Sequence, residues 1–305
     1  MQKHDRLDVF GSVATTILCA LWALGNVAIK TTNLGISPAF QSGLRSLGAL
    51  ALLLLWSFVR GIPLFSRDGT LGLGIAAGAM FAGEFALIYW ALVYTDVARG
   101  LIILYTAPFL VAVGAHFFIP GETLHQRQVI GLVSAFAGIV IAFWDGLTLP
   151  SWRALIGDSM MLLASVFWAA TTVLIKGSAL ARIDPTKTLA YQLAVSGIAL
   201  PIFALLLGER GIFNPTPLVV YSLLFQTVIV AFASYLVWFA LVRIYPASTL
   251  SAFTFMTPIF ALLFGALLLG ERVSIALLVA LTLVAFGIWL VNRPRVPAPT
   301  SDPSL

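Results

Sequence analysis

The sequence predicts an all-α integral membrane protein of ten transmembrane helices, folded as two inverted five-helix repeats. Three observations carry that expectation. Hydrophobic residues fill 60% of the 305 positions and charged residues 10%, whereas a soluble domain carries roughly a quarter charged residues. Apolar stretches recur at the length, roughly 18–25 residues, that crosses about 30 Å of hydrocarbon. Short motifs of the first half return in the second, in order, displaced by 146 to 150 positions. The expected spans lie near 10–32, 38–59, 70–93, 97–118, 128–144, 155–176, 187–207, 218–241, 247–269 and 273–291. Between them run loops of a few residues, with no room for a soluble ATPase, receptor or catalytic domain.

The first span follows the charged stretch Lys3-His4-Asp5-Arg6 and is too long for the core of a cleaved signal, so it reads as a retained helix. Trp22, Asn26 and Lys30 recur every four residues and share one helical face. A ring followed one turn later by an amide suits an interior cavity, while Lys30 fits a snorkelling anchor at the helix end. The second span carries Arg45 and the third Glu84, the two charges that fall clearly within spans. Ionised groups there are costly and usually face the protein interior. At 1.5 Å per residue the two lie roughly 10 Å and 13 Å below the same membrane surface, which permits a buried ion pair. Two roles fit such a pair: a structural clasp, or a seat for the charged ends of a zwitterion or a coupling proton. Gly74 and Gly78 of the third span form a ridge for close helix packing. The likeness of that stretch to a dinucleotide fingerprint is superficial, because the spacing is wrong and no strand precedes it. Tyr89 and Trp90 lie near the span end, where such residues form the interfacial belt.

The fourth span is interrupted by Pro108, which cannot donate to the carbonyl of Leu104. A carbonyl freed at mid-membrane must be satisfied internally or face a wet cavity. Tyr105 and Thr106 therefore become candidate cavity residues and Pro108 a candidate hinge. Gly121-Glu122 closes this span, with Glu122 placed to cap the helix that follows. The fifth span has few polar residues in its core and belongs at the periphery.

The second half repeats this order. Trp168, Thr172 and Lys176 match Trp22, Asn26 and Lys30. Tyr191 and Gln192 bring a ring and an amide to the seventh span; Ser234, Tyr235 and Trp238 bring theirs to the eighth, with Trp238 near enough to its end for the belt. Gln192 and Ala233 stand where the first half has Arg45 and Glu84, so the charged pair lies outside the repeated scaffold. Phe239-Ala-Leu-Val242 matches Trp90-Ala-Leu-Val93. In the ninth span Pro258 matches Pro108 and frees the carbonyl of Thr254, which adds Thr254 and Phe255 to the cavity and Pro258 to the hinges. Gly270-Glu271 matches Gly121-Glu122, and the tenth span, with Gly287 matching Gly138, is again peripheral. The repeats run from 1 to 145 and from 146 to 293; the tail 294–305, rich in Pro, Ser and Thr, is expected to be disordered.

An odd number of helices per repeat sends the second unit into the membrane from the opposite side. Such inverted pairs place a binding site near the midplane between the repeats and let the two ends open alternately. Spans 1, 3, 4, 6, 8 and 9 are expected to line it. Eleven basic residues fall on the N-terminal side of the spans and five on the other, so both termini are expected in the cytoplasm.

The tryptophan-led first helix of each half, Pro108 and Pro258, and the paired Gly-Glu motifs resemble the EamA-type members of the drug/metabolite transporter superfamily, over about residues 10–292. The resemblance implies ten helices in a bacterial inner membrane, cytoplasmic termini, no cofactor, and export of amino acids, other metabolites or drugs. Within that family the chain is similar to exporters of aromatic and other amino acids. The expected partners are a small-molecule substrate, first of all an amino acid with an aromatic or apolar side chain, and the lipid bilayer. Nucleic acid is not expected, because the basic residues occupy loops without interleaved aromatics. The single cysteine, Cys19, excludes an intrachain disulfide. His4, His116 and His125 form no HExxH pair, and no Walker A lysine loop is present for ATP. A drug exporter, or an importer of the same superfamily, is the alternative reading. An intramembrane enzyme would need a nucleophile–base pair or metal cluster at matched depth, and a channel a continuous path of polar rings; the sequence offers neither.

Overall fold

The computed structural model describes residues 6–95, 97–144, 147, 151–269 and 275–293. Lys3, His4 and Asp5, the Gly270-Glu271 motif and the tail 294–305 lie outside the described residues. In chain order the helices are α1 (Val9–Thr32), α2 (Pro38–Arg60), α3 (Leu71–Tyr94), α4 (Val97–Leu104), α5 (Ala107–Phe118), α6 (Gln126–Ala142), α7 (Trp152–Gly177), α8 (Pro185–Leu206), α9 (Pro217–Phe225), α10 (Tyr235–Ile244), α11 (Ala247–Phe253), α12 (Met256–Leu269) and α13 (Ile275–Val291). A π-helical stretch, Gln226–Ser234, joins α9 to α10 without a break. Among the described residues the chain forms helices and no β-sheet, and eight helical segments are long and apolar enough to cross a membrane. α6 and α13 are apolar but shorter. This is the architecture of a multi-pass membrane protein.

Local sequence explains where the helices start. Asp8, Ser151, Asp184 and Thr216 each stand at an N-cap and accept a backbone N–H of the first turn, the favoured use of short oxygen-bearing side chains there. Pro38, Pro185 and Pro217 open their helices at a position where the missing N–H has no partner to lose. α2 ends on Gly61 at φ +64°, a left-handed conformation that glycine adopts without strain.

The two expected proline interruptions are real breaks. α4 gives way to α5 at Tyr105 and Thr106, just before Pro108, and α11 gives way to α12 at Thr254 and Phe255, just before Pro258. At both places a threonine closes the turn: Thr106 Oγ1 donates to the Ile103 carbonyl and Thr254 Oγ1 to the Ser251 carbonyl, each at 2.7 Å.

Packing pairs the early helices with the late ones. α2 runs antiparallel to α8, Gly43 against Pro201 and Leu47 against Gly197. Gly74 and Gly78 form the expected ridge and receive Tyr191 and Val195 of α8. α6 and α13 cross most closely. A Cβ on Gly287 would sit 2.4 Å from the Gly131 carbonyl oxygen, and one on Gly138 would sit 2.9 Å from that of Ala280. Backbone cannot yield as a flexible side chain can. Gly287→Leu is therefore expected to destabilise the fold by about 2–3 kcal/mol, visible as a lower thermal midpoint or aggregation in size-exclusion chromatography; an unchanged midpoint would contradict this crossing.

Glu122 does not cap the helix that follows it. Its carboxylate accepts from the backbone N–H groups of Ala247 (3.0 Å) and Ser248 (3.4 Å), the first turn of α11, 125 residues away. Acidic oxygens satisfy a helix start wherever they come from, and α6 uses a local device instead, Gln128 Oε1 accepting from the His125 N–H at 3.1 Å. Glu209 acts likewise at long range, holding the N–H groups of Ala39 and Phe40 at the start of α2.

Candidate functional site

Two aromatic clusters occupy the middle of the bundle. The first gathers on Trp22, thirteen residues into α1 and so roughly 20 Å along it. Trp22 Nε1 donates to Ser234 Oγ at 2.9 Å, and its ring meets Trp238 at 5.2 Å and Tyr235 at 6.2 Å, edge to face. The cluster continues through Tyr235 to Phe81 (6.0 Å), Phe85 (4.9 Å from Phe81) and Tyr89 (6.5 Å from Phe85). Beside it stands Arg45, whose guanidinium lies 4.5 Å over the Phe85 ring.

The second cluster forms around the break between α4 and α5. Tyr105 meets Trp168 of α7 at 5.9 Å and Phe255 at 6.3 Å, and Phe109 and Phe136 close on Phe255 at 6.3 and 6.5 Å. Thr106 Oγ1 lies 3.1 Å from Ser165 Oγ. Each cluster thus joins residues from both halves of the chain. Edge-to-face ring pairs stabilise by about 0.5–1.5 kcal/mol beyond their buried area.

The expected cavity residues divide accordingly. Trp22 and Ser234 fall in the first cluster; Tyr105, Thr106, Trp168 and Phe255 fall in the second. Thr172 is buried and hydrogen-bonds the Trp168 carbonyl one turn back, and Thr254 is spent on its own turn. Asn26 is exposed on α1. Tyr191 packs on Gly74 at the α3–α8 seam, with its hydroxyl 3.2 Å from Thr70 Oγ1. Gln192, one residue on, is fully buried with neither amide atom hydrogen-bonded. Arg45 and Glu84 are near enough to act on one another electrostatically, yet no ion pair within 4.0 Å joins them; the ion pairs among the described residues are Arg99–Asp158 and Lys187–Asp68. The guanidinium has taken the face of Phe85 instead.

Several groups escaped the sequence reading. Tyr89 and Trp238 belong to the interior, 9% and 7% exposed, not to the interfacial belt; Trp90, 37% exposed, does lie at the surface. Their nearness to span ends was a misleading signal, because a ring leaning inward is indistinguishable from one leaning to the headgroups by position alone. Phe81 and Phe85, four apart on α3, were legible as a helical face in retrospect.

Polar ties close both ends of the bundle. At the N-terminal face the Tyr245 hydroxyl donates to Asp8 Oδ1 at 2.8 Å, and Lys176 Nζ donates to the Val242 and Tyr245 carbonyls at the end of α10. Burial, with the Asp8 carboxylate as acceptor, pushes the Tyr245 hydroxyl up to about 12, so it stays a neutral donor across the ordinary pH range. On the same face Lys187 donates to Asp68 and to the Ser66 carbonyl, both at 2.7 Å. That ammonium, aided by Thr70, holds the Asp68 carboxyl well below the usual carboxylate range. At the opposite face Asp158, at the start of α7, takes Thr95 Oγ1 at 2.7 Å and pairs with Arg99.

Comparison with known proteins follows the same division of the chain. The profile of the EamA-like transporter family matches residues 9–144 and again 155–293. The uncharacterized transporter YoaV of Bacillus subtilis is 25% identical over 283 residues, 92% of this chain and 95% of its own. A protein of Escherichia coli named "Probable amino-acid metabolite efflux pump" is 22% identical over 290 residues, 91% of this chain and 93% of its own. A crystal structure superposes with a TM-score of 0.79 at 18% identity, covering 92% of this chain and 94% of the other, and so shares the fold.

Proposed function

This chain belongs to the EamA-like transporter family, and from that premise we propose that it is a secondary transporter exporting small metabolites, amino acids with aromatic or apolar side chains foremost. It works as ten spans in two inverted five-helix repeats set in a bacterial inner membrane with both termini cytoplasmic, and it opens alternately to the two sides. The bias of basic residues supports the orientation.

The observation that carries this reading is the pair of mid-bundle aromatic clusters, each built from both halves of the chain around the tryptophan that leads one half. Exchange of the halves supports it further. Gly131 and Gly138, moved on by 149 positions, become Ala280 and Gly287, so the contact of Gly131 with Gly287 turns into that of Ala280 with Gly138. α1 packs on α9 and α12 while α7 packs on α3 and α5, the same relation with the halves reversed. Inverted repeats bind at their mutual interface near the midplane and rock about it. Rings there cover an apolar side chain.

Counterflow in proteoliposomes tests the reading. Vesicles preloaded with unlabelled amino acids are expected to accumulate labelled phenylalanine or methionine, and Trp168→Ala to slow the initial rate by about tenfold or more. If folded protein accumulates no amino acid, the amino-acid reading falls and drugs or other metabolites of the same family become the substrates to try.

A further inference from the structure

We propose that Arg45 is the seat for the carboxylate of the transported molecule, with Glu84 facing its ammonium group, so that the site selects a zwitterionic amino acid. This rests on the transporter reading above and adds the side chains that recognise the two charged ends of the substrate.

The argument starts from what Arg45 lacks. It is 2% exposed, and its Nε and Nη2 have no hydrogen-bond partner. Arginine stays charged at every relevant pH, and a buried charge without a partner is among the most costly groups a fold can hold. Glu84, the acid beside it, does not approach within ion-pair distance. Phe85 takes one face of the guanidinium at 4.5 Å. A ring on the face leaves the edge, where the N–H groups point, to something else.

Around that edge the structure gathers hydroxyls. On α2, Ser42 precedes Arg45 by three residues and Ser46 by four, so each of the two shares a face with Ser42. Ser42 and Ser46 are fully buried, and the Ser46 hydroxyl has no hydrogen-bond partner. Tyr89 stands beside Arg45 with its hydroxyl within hydrogen-bonding reach of Ser42. Buried polar atoms are almost always paired, and unpaired N–H and O–H groups around one cation are the donors that an acceptor-only group satisfies. A planar carboxylate takes two parallel N–H bonds from an arginine edge, and the Ser46 hydroxyl remains for another of its lone pairs.

The rest of the ligand follows from the neighbours. Glu84 is half-buried, within electrostatic reach of Arg45 and Tyr235, and offers a carboxyl group to the ligand's ammonium. Phe81, Phe85, Tyr235 and Trp22 form a continuous aromatic wall leading away from Arg45. An anion, a cation and an apolar side chain on one small molecule is the description of an aromatic or large aliphatic amino acid.

The test is binding and unfolding of the purified full chain, wild type against Arg45→Met and Arg45→Lys, with phenylalanine, 3-phenylpropanoate and phenethylamine as probes. Trp22 and Trp238 report binding by fluorescence. Wild type is expected to bind phenylalanine most tightly, 3-phenylpropanoate next, and phenethylamine at least about tenfold more weakly than either, and Arg45→Met to lose the preference for carboxylates while melting no lower than wild type, since it removes a buried charge without breaking a pair. Arg45→Lys keeps the charge but not the fork and should fall between. A lower melting point or failure to fold in Arg45→Met would make Arg45 a structural clasp and overturn the proposal. So would carboxylate discrimination that survives in Arg45→Met, or none in wild type. Counterflow separates the two readings: phenylalanine exchange undiminished in Arg45→Met sinks the seat and spares the transporter, whereas Arg45-dependent carboxylate binding without amino-acid counterflow spares the seat and sinks the amino-acid exporter.

Discussion

Asp158→Ala is expected to lower the melting point of the purified protein by about 5 °C or more and to abolish most counterflow. The carboxylate is the hub of the face opposite the N-terminus, 11% exposed at its side chain and shared between the Thr95 hydroxyl and the Arg99 guanidinium. Deleting one member of a largely buried charged pair costs about 3–5 kcal/mol, mostly because the surviving charge has been desolvated for a partner that is gone. Over a bundle of this size that corresponds to several degrees. The tie also fastens α7 to the turn between α3 and α4, so its loss should leave that end of the bundle standing open. Cys19 is buried, so a cysteine placed at Ser165, fully buried on α7, gives a clean readout. Its labelling by a membrane-impermeant maleimide should rise at least about tenfold when Asp158 is removed. Equal melting points and equal labelling would show that the face is held by packing alone.

The double substitution Pro108→Ala with Pro258→Ala is expected to leave phenylalanine binding within about twofold of wild type and to slow its exchange by more than about tenfold. Alanine restores the N–H that proline lacks and removes the ring clash with the preceding turn, which favours continuous helices across 104–107 and 253–256. The aromatic contacts of Tyr105 and Phe255 are made by residues inside these breaks, so binding reports whether they have kept their places. A rate equal to that of wild type would show that the breaks serve packing and not movement. Loss of binding along with rate would show that the breaks position rings and that their part in movement is secondary.

Much of the scaffold was legible because the bilayer enforces it. Span length, proline position and small-residue ridges are set by hydrocarbon thickness, by the missing proline N–H and by close backbone approach, and α1, the break before Pro108 and the Gly74–Gly78 seam follow from those constraints one residue at a time. Contacts between distant segments were much less so. Nothing local to Glu122 says that it serves a helix start 125 residues later, because any nearby helix N-terminus offers the same orphan N–H groups. Arg45 and Glu84 were placed at matching depth by counting, yet depth does not fix rotation about the helix axis, and the guanidinium turned to Phe85. The clusters around Trp22 and Trp168 were half legible: the leading tryptophans stood out by repetition, while Tyr89, Trp238, Phe81 and Phe85 are ordinary membrane-helix residues until their neighbours are known.

The π-helical stretch Gln226–Ser234 sets how the span that carries it fits between the two faces of the bundle. The segment it interrupts runs from Pro217 to Ile244, 28 residues, whereas α3, its counterpart under the proposed duplication, has 24. Under that reading the later span is the longer by four residues. A straight α-helix would grow by about 6 Å for four residues, pushing Tyr245 off Asp8. Winding with i→i+5 bonds stores the surplus sideways instead of lengthwise. The added length is thus kept inside the helix wall, and it ends at Ser234, the residue that holds Trp22.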